Sequence, residues 1–132
     1  MTSKNTKVKL TLAFVQTVDG EVVSEQNTYD ATLYRKGESV YVTYTDNENC
    51  SIKQKDNIVS VFRHKSGNRL VFESGGTHNS SYTTPAGPMQ VIVKTSLVKG
   101  KLEEGKTVIK YRLLFNGVQV SENVMNIIIE EI

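Results

Sequence analysis

Apolar and polar residues alternate along most of the chain with a period of two. The pattern is clearest in residues 7–18, where Val8, Leu10, Leu12 and Phe14 alternate with lysine, threonine and alanine. A period of two is typical of a strand that buries one face. Along the whole chain the same pattern, together with β-branched and aromatic residues, predicts ten strands: 7–18, 22–34, 39–46, 50–54, 58–65, 69–74, 78–84, 89–98, 106–115 and 118–130.

Turn residues separate these segments. Asp19-Gly20 and Asn116-Gly117 each lie between alternating runs, which is a strong signal for two-residue hairpins. Residues 99–105 are expected to form a charged loop. Short connections make neighbouring strands antiparallel, and pairing the first strand with the last would remove the exposed edges of an open sheet. The sequence therefore predicts an all-β fold: one antiparallel up-and-down β-barrel of about 8–10 strands with little or no helix.

Length and composition favour one domain in a reducing compartment. The chain has 132 residues, so we expect a single barrel domain over residues 1–132, with residues 1–6 as a flexible tail. The polar N-terminus does not resemble a signal peptide, and no apolar run is long enough for a transmembrane helix. The lone Cys50, interpreted as a half-buried strand residue, cannot form an internal disulfide. These features favour a reducing compartment and no membrane association.

Motifs typical of enzymes are missing from the sequence. It contains no Gly-x-Ser-x-Gly, Walker A or Gly-x-Gly-x-x-Gly motif. The two histidines and the single cysteine are not clustered in sequence, so a zinc or iron site is not expected. We therefore predict a non-enzymatic protein without catalytic residues, metal ligands or cofactor.

Basic residues form a run across neighbouring hairpins. Its members are Lys53, Lys55, Arg63, His64, Lys65 and Arg69. A basic groove combined with aromatic residues can bind single-stranded nucleic acid. Here the nearby Phe62 and Phe72 are better explained as core residues, and the net charge is only +2. A solvated barrel face is the preferred interpretation, and nucleic acid is not expected as a partner.

Arg63 is the first candidate for a ligand contact. It shares a strand face with Val59 and Val61, so it points inward if that face is internal. An inward arginine needs an acidic partner or an anionic ligand. The alternatives are that Arg63 pairs with a carboxylate such as Glu73 or Asp46, that it extends to the barrel rim, or that the opposite strand phase places it outside.

Three tyrosines complete the predicted ligand-binding set. Alternation in two strands predicts these inward residues: Met89, Val91, Val93, Thr95, Ile109, Tyr111, Leu113 and Phe115. Tyr44, Tyr82 and Tyr111 could direct their hydroxyl groups at a ligand in the barrel, although tyrosine is also an ordinary strand-forming residue. The predicted polar contacts are therefore Tyr44, Arg63, Tyr82 and Tyr111.

The stretch 69–95 contains both prolines and a Gly-Gly pair. Gly75-Gly76 and the segment 85–88 are interpreted as two turns that bound a weak, polar strand. Such a strand is the expected place for an opening in the wall or rim of the barrel.

Several short segments, in order, resemble the YwiB-like family of small bacterial proteins. They are Val-Thr-Tyr-Thr-Asp (42–46), Ser-Val-Phe-Arg (60–63), Leu-Val-Phe-Glu-Ser-Gly (70–75), Ser-Tyr-Thr-Thr-Pro-Ala-Gly-Pro-Met (81–89), Lys-Thr (94–95), Ile-Lys-Tyr-Arg-Leu (109–113) and Ser-Glu-Asn-Val-Met-Asn-Ile (121–127). Asp46 and Ala86 depart from the family, which more often has glutamate and an aromatic residue there. The resemblance implies a cytoplasmic bacterial protein with a calycin-type, lipocalin-like β-barrel. The family has no established activity, so it implies no catalytic residues.

Two hypotheses of function remain. The first is a barrel that binds a small apolar or anionic molecule. The alternative is a protein-interaction module or homodimer that uses the outer surface or the rim at 74–88. It is motivated by Ile92 and Leu114, which are expected to be exposed on the outward phase of their strands.

Overall fold

The computed structural model describes residues 5–132 as ten β-strands and one short 3₁₀ turn. The elements are β1 Thr6–Val18, β2 Glu21–Lys36, β3 Ser39–Thr45, β4 Asn49–Lys55, β5 Ile58–Arg63, β6 Arg69–Glu73, β7 Thr77–Thr84, β8 Gly87–Lys101, η1 Leu102–Glu104, β9 Lys106–Phe115 and β10 Val118–Glu131. Of the tail predicted over residues 1–6, Thr6 already belongs to β1, and residues 1–4 lie outside the described part.

The strands form one antiparallel sheet in the order β6-β5-β4-β3-β2-β1-β10-β9-β8-β7. The first strand pairs with the last, from Val8 opposite Glu131 to Thr17 opposite Glu122. The sheet thereby curves into a nearly closed barrel, and β6 and β7 meet where its two edges come together. The predicted all-β antiparallel barrel is confirmed.

Two hairpins have the turn geometry that their sequences predict. Asp19 and Gly20 have φ of 50° and 79°, and Asn116 and Gly117 have φ of 50° and 84°. Positive φ at both central residues is the signature of the type I′ turn, which matches the right-handed twist of the flanking strands. Asparagine, aspartate and glycine tolerate this backbone conformation best, so these turns fix the register of their hairpins locally.

Side chains from both halves of the sheet fill the barrel. The largest fully buried ones are Phe72, Leu10, Ile52, Leu102, Ile109, Ile127, Val8, Val42, Val59, Val91, Val93 and Thr107. As predicted, Val91, Val93, Thr95, Ile109 and Tyr111 are buried. The remaining predicted inward residues, Met89, Leu113 and Phe115, are half-buried.

One end of the barrel is closed by the segment expected to be a charged loop. Instead, β8 continues to Lys101 and η1 follows, with Leu102 only 1% exposed. Below it lies the buried side chain of Gln54, whose Oε1 accepts the Leu102 N–H at 2.8 Å and the Thr107 hydroxyl at 3.3 Å. Its Nε2 donates to the Gly100 carbonyl at 2.9 Å. The amide is satisfied, so it can remain buried without a large penalty.

The seam between β6 and β7 is held by side chains and by the turn rather than by a strand ladder. Asn68 Oδ1 accepts the Thr83 N–H at 2.7 Å, and Asn68 Nδ2 donates to the Thr83 carbonyl at 3.1 Å. Farther along the seam, His78 Nε2 lies 2.9 Å from Glu73 Oε1. The polar strand predicted within 69–95 is β7. With its two turns it lies at the seam, where β6 and β7 form no strand ladder.

Candidate functional site

A cleft of about 540 Å³ crosses the outer wall of the barrel. Its lining comes from β1, the β6–β7 turn, the first residue of β7, β8, β9 and β10. We call it the cationic cleft because Lys94, Lys110 and Arg112 line it, together with the carboxylate of Glu122. Val15 and Val124 supply apolar surface.

Strand alternation places the three cations outside the barrel. Lys110 and Arg112 flank the buried Tyr111, and Lys94 lies between the buried Val93 and Thr95, so the cations have the outward phase. The same alternation that builds the core therefore assembles the cleft.

The register of β8, β9 and β10 brings the charges side by side. Arg112 lies directly opposite Lys94 on β8 and opposite Glu122 on β10. Lys110 lies opposite Val124. A row of outward side chains thus runs across three strands, and two cations are adjacent in it.

Within the described residues, the cations of the cleft form no ion pair shorter than 4.0 Å. Like charges directly opposite on neighbouring strands are destabilising, and one carboxylate does not balance three cations. An anion bound between Lys94 and Arg112 would relieve this repulsion and could accept hydrogen bonds from both side chains.

The floor of the cleft consists of residues whose side chains are buried. Thr95, Tyr111 and Asn123 belong to the lining and are each less than a tenth exposed. Tyr111 packs against Phe72 with ring centroids 4.6 Å apart, and burial raises the pKa of Tyr111 to about 12. Its hydroxyl therefore stays protonated at neutral pH. The hydroxyl of Thr95 is buried and has no hydrogen-bond partner within residues 5–132.

Two local irregularities shape the end of the cleft beside the β6–β7 turn. The register between β8 and β9 shifts between Thr95 and Leu97, so Ser96 is an extra residue there. Gly75 donates its N–H to the Thr95 carbonyl at 2.9 Å, and Thr95 donates its N–H to the Gly76 carbonyl at 3.0 Å. Gly75 has a φ of 76°, a conformation that glycine adopts without strain, so the turn can take the shape that docks on β8.

Arg63 occupies a different polar cluster, at the end of β5. Its Nη2 donates to both oxygens of Asp46 at 2.9 Å, and its Nε donates to Glu48 Oε2 at 3.2 Å. Glu48 Oε1 also accepts the N–H groups of Lys65 at 2.9 Å and Ser66 at 3.0 Å. We call Arg63, Asp46 and Glu48 the Arg63 network. It ties the β3–β4 hairpin to the β5–β6 hairpin.

The pKa values of the network are those of paired charges. Burial raises the pKa of Asp46, but the Glu48 N–H and the Arg63 guanidinium outweigh it, so the net shift is downward. The pKa of Glu48 is lowered, first by the Ser66 N–H and also by Arg63. Both carboxylates are therefore ionised at neutral pH. Of the partners suggested for Arg63 by the sequence, Asp46 is confirmed, whereas Glu73 is wrong because Glu73 lies at the seam beside His78.

The structure brings two of the four predicted ligand contacts together and leaves two apart. Tyr44 and Arg63 are both register partners of Cys50 on β4, so they form one inward row. Tyr111 lies under the cationic cleft, and the half-buried Tyr82 lies on β7 opposite Met89. Burial raises the pKa of Tyr44 well above its ordinary value, so its hydroxyl also stays neutral. The ligand role of all four residues stays a prediction.

Cys50 is more buried than the sequence suggested. It is 1% exposed rather than half-buried, because the Tyr44–Cys50–Arg63 row faces inward. Burial raises the pKa of its thiol. A protonated, inaccessible thiol is a poor nucleophile.

A second, open concavity of about 1260 Å³ covers the outer wall over β2, β3 and β4. Ser51 Oγ lies 2.6 Å from His64 Nε2 at its border. A serine beside a histidine resembles two members of a hydrolytic triad. The third member is missing, because within residues 5–132 no carboxylate bonds to His64. The pair alone does not support hydrolysis.

The cations of the cleft were missed by reasoning from the sequence. Alternation singles out the inward residue Tyr111, whereas Lys110 and Arg112 on either side of it were not predicted as contacts. The signal that could have found them is the clustering of Lys94, Lys110 and Arg112 on two predicted neighbouring strands without a matching acidic residue on either.

The apolar residues expected to be exposed on the outer face are half-buried. Ile92 and Leu114 pair across β8 and β9 and cover one another, so that expectation is wrong. The valines with the largest exposure are instead Val22, Val23 and Val118, near hairpin turns.

Two features are absent from the described residues. No group of three or more histidine, cysteine, aspartate or glutamate side chains in residues 5–132 is arranged to hold a metal ion. None of these residues belongs to a helix with the length and apolar character that a membrane crossing requires.

Comparisons with known proteins place the fold. The family model described as "Domain of unknown function (DUF1934)" matches residues 8–127. The crystal structure of ywiB protein from Bacillus subtilis is similar, with a TM-score of 0.82 at 20% sequence identity over 96% of this chain and 92% of that chain. At this identity the likeness shows the fold alone. No curated protein matches the chain.

Proposed function

We propose a function from the geometry of the cleft, because the chain belongs to the DUF1934 family and that family name gives no activity. The family model and the similar fold confirm the resemblance to the YwiB-like family. The proposed function is that the cationic cleft binds a small anion that carries an apolar group. The observation that carries the proposal is the pairing of Lys94 opposite Arg112, with Lys110 beside them and no ion pair for any of the three within residues 5–132.

The chemistry of the lining defines the class of ligand. An arginine fork and two ammonium groups suit a phosphate or carboxylate. Val15 and Val124 offer apolar surface to the rest of the molecule. The volume of about 540 Å³ is in the range typical of small-molecule sites, about 300–1,000 Å³.

The proposal places the ligand on the barrel wall rather than in the lumen. The lumen is occupied by packed side chains, and Arg63 has two carboxylate partners of its own. The proposal also includes three further points: the ligand-binding barrel is of the calycin type, its role is non-enzymatic, and its location is cytoplasmic. The buried, unpaired Cys50 is compatible with a reducing compartment.

Three probes separate the charged and apolar contributions: inorganic phosphate, phenyl phosphate and phenol. Titration calorimetry gives the affinities, and NMR chemical shifts locate the site. We expect phenyl phosphate to bind more tightly than phosphate, phenol not to bind, and the largest shifts to occur at Lys94, Arg112 and Val124. Equal binding of phenol and phenyl phosphate, or shifts centred on Arg63, would overturn the proposal.

A matched variant controls for general electrostatic attraction. Lys99 is exposed on the same strand as Lys94 but lies opposite Val108, outside the cleft. Lys99→Glu changes the net charge by as much as Lys94→Glu. Only Lys94→Glu should weaken binding of phenyl phosphate by about tenfold or more, whereas equal losses would mean that the anion senses only total charge.

A further inference from the structure

The β1–β2 hairpin leaves part of β2 without a neighbour on one side. Strand β2 pairs with β1 along its length, but β3 pairs only with residues 31–36 of β2. Residues 21–30 therefore form a free edge, and all six residues from 21 to 26 are exposed. We call residues 21–30 the β2 edge.

The hairpin turn determines which backbone groups point outward from the β2 edge. In a two-residue hairpin, the residues that flank the turn, here Val18 and Glu21, form a hydrogen-bonded pair. From there, every second residue directs its N–H and C=O away from β1. These residues are Val22, Ser24, Gln26, Thr28 and Asp30. Spread along residues 21–30, these five residues form a template for a further strand.

Of the devices that usually protect an exposed edge, residues 21–30 have only acidic charge. Natural proteins protect such edges with lysine, proline or a bulge, or keep them short. Residues 21–30 contain no lysine or proline, and their register with β1 is regular. Val22 and Val23 lie on opposite faces of the edge and are 64% and 56% exposed. A docked strand would cover apolar surface on both faces.

Charge defines the kind of strand that fits. Residues 11–34 contain Asp19, Glu21, Glu25 and Asp30 but no lysine or arginine, although the whole chain has 16 of them. The hairpin is thus an acidic element in a protein of net charge +2. Asp30 lies opposite Lys9 on β1, whereas Glu21 and Glu25 lie opposite uncharged residues. A second copy paired edge to edge would bring the unmatched carboxylates of both copies into one sheet, which disfavours it.

We propose that the β2 edge is a docking site for an extended basic segment of a partner protein, which adds a strand to the barrel sheet. The main-chain bonds supply affinity, and lysine or arginine side chains opposite Glu21 and Glu25 supply specificity. This interaction is separate from anion binding, because neither Glu21 nor Glu25 lines the cationic cleft.

The test uses a synthetic ten-residue peptide that alternates valine with lysine and threonine, and a twin with glutamate in place of lysine. Alternate amides are N-methylated so that the peptides cannot pair with themselves. We expect the lysine peptide to bind at least about tenfold more tightly than its twin. On binding, hydrogen exchange should slow at the amides of Val22, Ser24, Gln26 and Thr28. Equal affinities, or protection elsewhere, would overturn the proposal.

Two variants block the site in different ways. Ser24→Pro removes an outward N–H without breaking the ladder to β1, because proline is tolerated where the N–H faces solvent. Glu25→Lys reverses a charge and leaves the backbone intact, so it tests the proposal even if the proline variant fails to fold. Each should weaken peptide binding about tenfold or more and leave phenyl phosphate binding unchanged. Undiminished peptide binding by Glu25→Lys would contradict the charge argument.

Sedimentation at several protein concentrations tests the second-copy alternative. We expect a monomer. A dimer that dissociates in Ser24→Pro would show that the edge pairs with itself and would overturn the assignment to a basic partner.

Discussion

Two groups of charges in this barrel each combine an arginine with a glutamate and differ in whether the cations have a partner. In the Arg63 network, one guanidinium lies within 3.2 Å of two carboxylates, and two backbone N–H groups satisfy the remaining oxygen, Glu48 Oε1. In the cationic cleft, three cations share the neighbourhood of one carboxylate, and no ion pair forms within the described chain.

The presence or absence of a carboxylate partner separates cations that stabilise the fold from cations that are available to an anionic ligand. A cation whose hydrogen bonds are satisfied internally stabilises the fold, and a ligand would have to displace a carboxylate to reach it. A cation held beside others of the same sign gains from an added anion. Substitutions in the two groups should therefore affect different quantities: stability for Arg63, and affinity for Lys94 and Arg112.

The largest expected effect is on stability. Arg63→Met leaves the carboxylate of Asp46, whose side chain is 22% exposed, without its cation. We expect the free energy of unfolding to fall by about 2 kcal/mol, as measured by urea denaturation. Affinity for phenyl phosphate should not change. A stability loss below about 0.5 kcal/mol would mean that the network is only a surface contact.

Second in size is the loss of binding in the cleft. Arg112→Glu places a carboxylate opposite Glu122 and beside the ligand position. We expect affinity for phenyl phosphate to fall at least about tenfold, or about 1.4 kcal/mol, as measured by calorimetry. Lys99→Glu serves as the matched control. The free energy of unfolding should change by less than about 0.5 kcal/mol, since Arg112 is exposed and unpaired among residues 5–132.

Acid should reduce the contribution of the Arg63 network. The folded pKa values of Asp46 and Glu48 are lowered, so the unfolded chain takes up protons first as the pH falls. The stability that these carboxylates supply is complete above about pH 5, where both states are ionised, and declines as the pH falls through about 4 toward the folded values. The advantage of the native protein over Arg63→Met should shrink accordingly in urea titrations. An advantage that grows on acidification would contradict the pairing.

The smallest expected effect is a gain. Glu122 faces Arg112 across β10 and β9 and is the carboxylate of the cleft lining. Glu122→Gln removes its repulsion of an anionic ligand with little change in shape, so affinity for phosphate should rise about twofold to threefold at low salt. The gain should vanish at high ionic strength. Weaker binding by Glu122→Gln would show that the carboxylate positions the cations rather than competing with the anion for them.

Local patterns predicted most of the fold. Alternation placed Val8, Leu10 and Ile109 in the core, and the Asp19-Gly20 and Asn116-Gly117 turns adopt the hairpin geometry that their residues favour. The barrel followed because antiparallel strands of this number avoid exposed edges by closing. The charged appearance of η1 was misleading, because its single apolar residue, Leu102, is held in place by Gln54, far away in sequence.

The features that were missed depend on contacts between distant strands. Glu48 was not considered as a partner of Arg63, because its position depends on how the β3–β4 turn folds over β5. The cationic cleft depends on the register that sets Arg112 opposite Lys94 and on the shift between Thr95 and Leu97. Neither can be read from a single strand. The seam between β6 and β7 likewise depends on how the whole sheet curves.

In the proposed function, the unpaired cations of the cleft bind the anion and the paired Arg63 does not. The most direct measurement is the affinity of phenyl phosphate for two variants, Arg112→Glu and Arg63→Met, each checked for folding by circular dichroism. We expect Arg112→Glu to lose about tenfold or more in affinity and Arg63→Met to retain the native value. Retained binding by Arg112→Glu together with lost binding by folded Arg63→Met would contradict the proposed function.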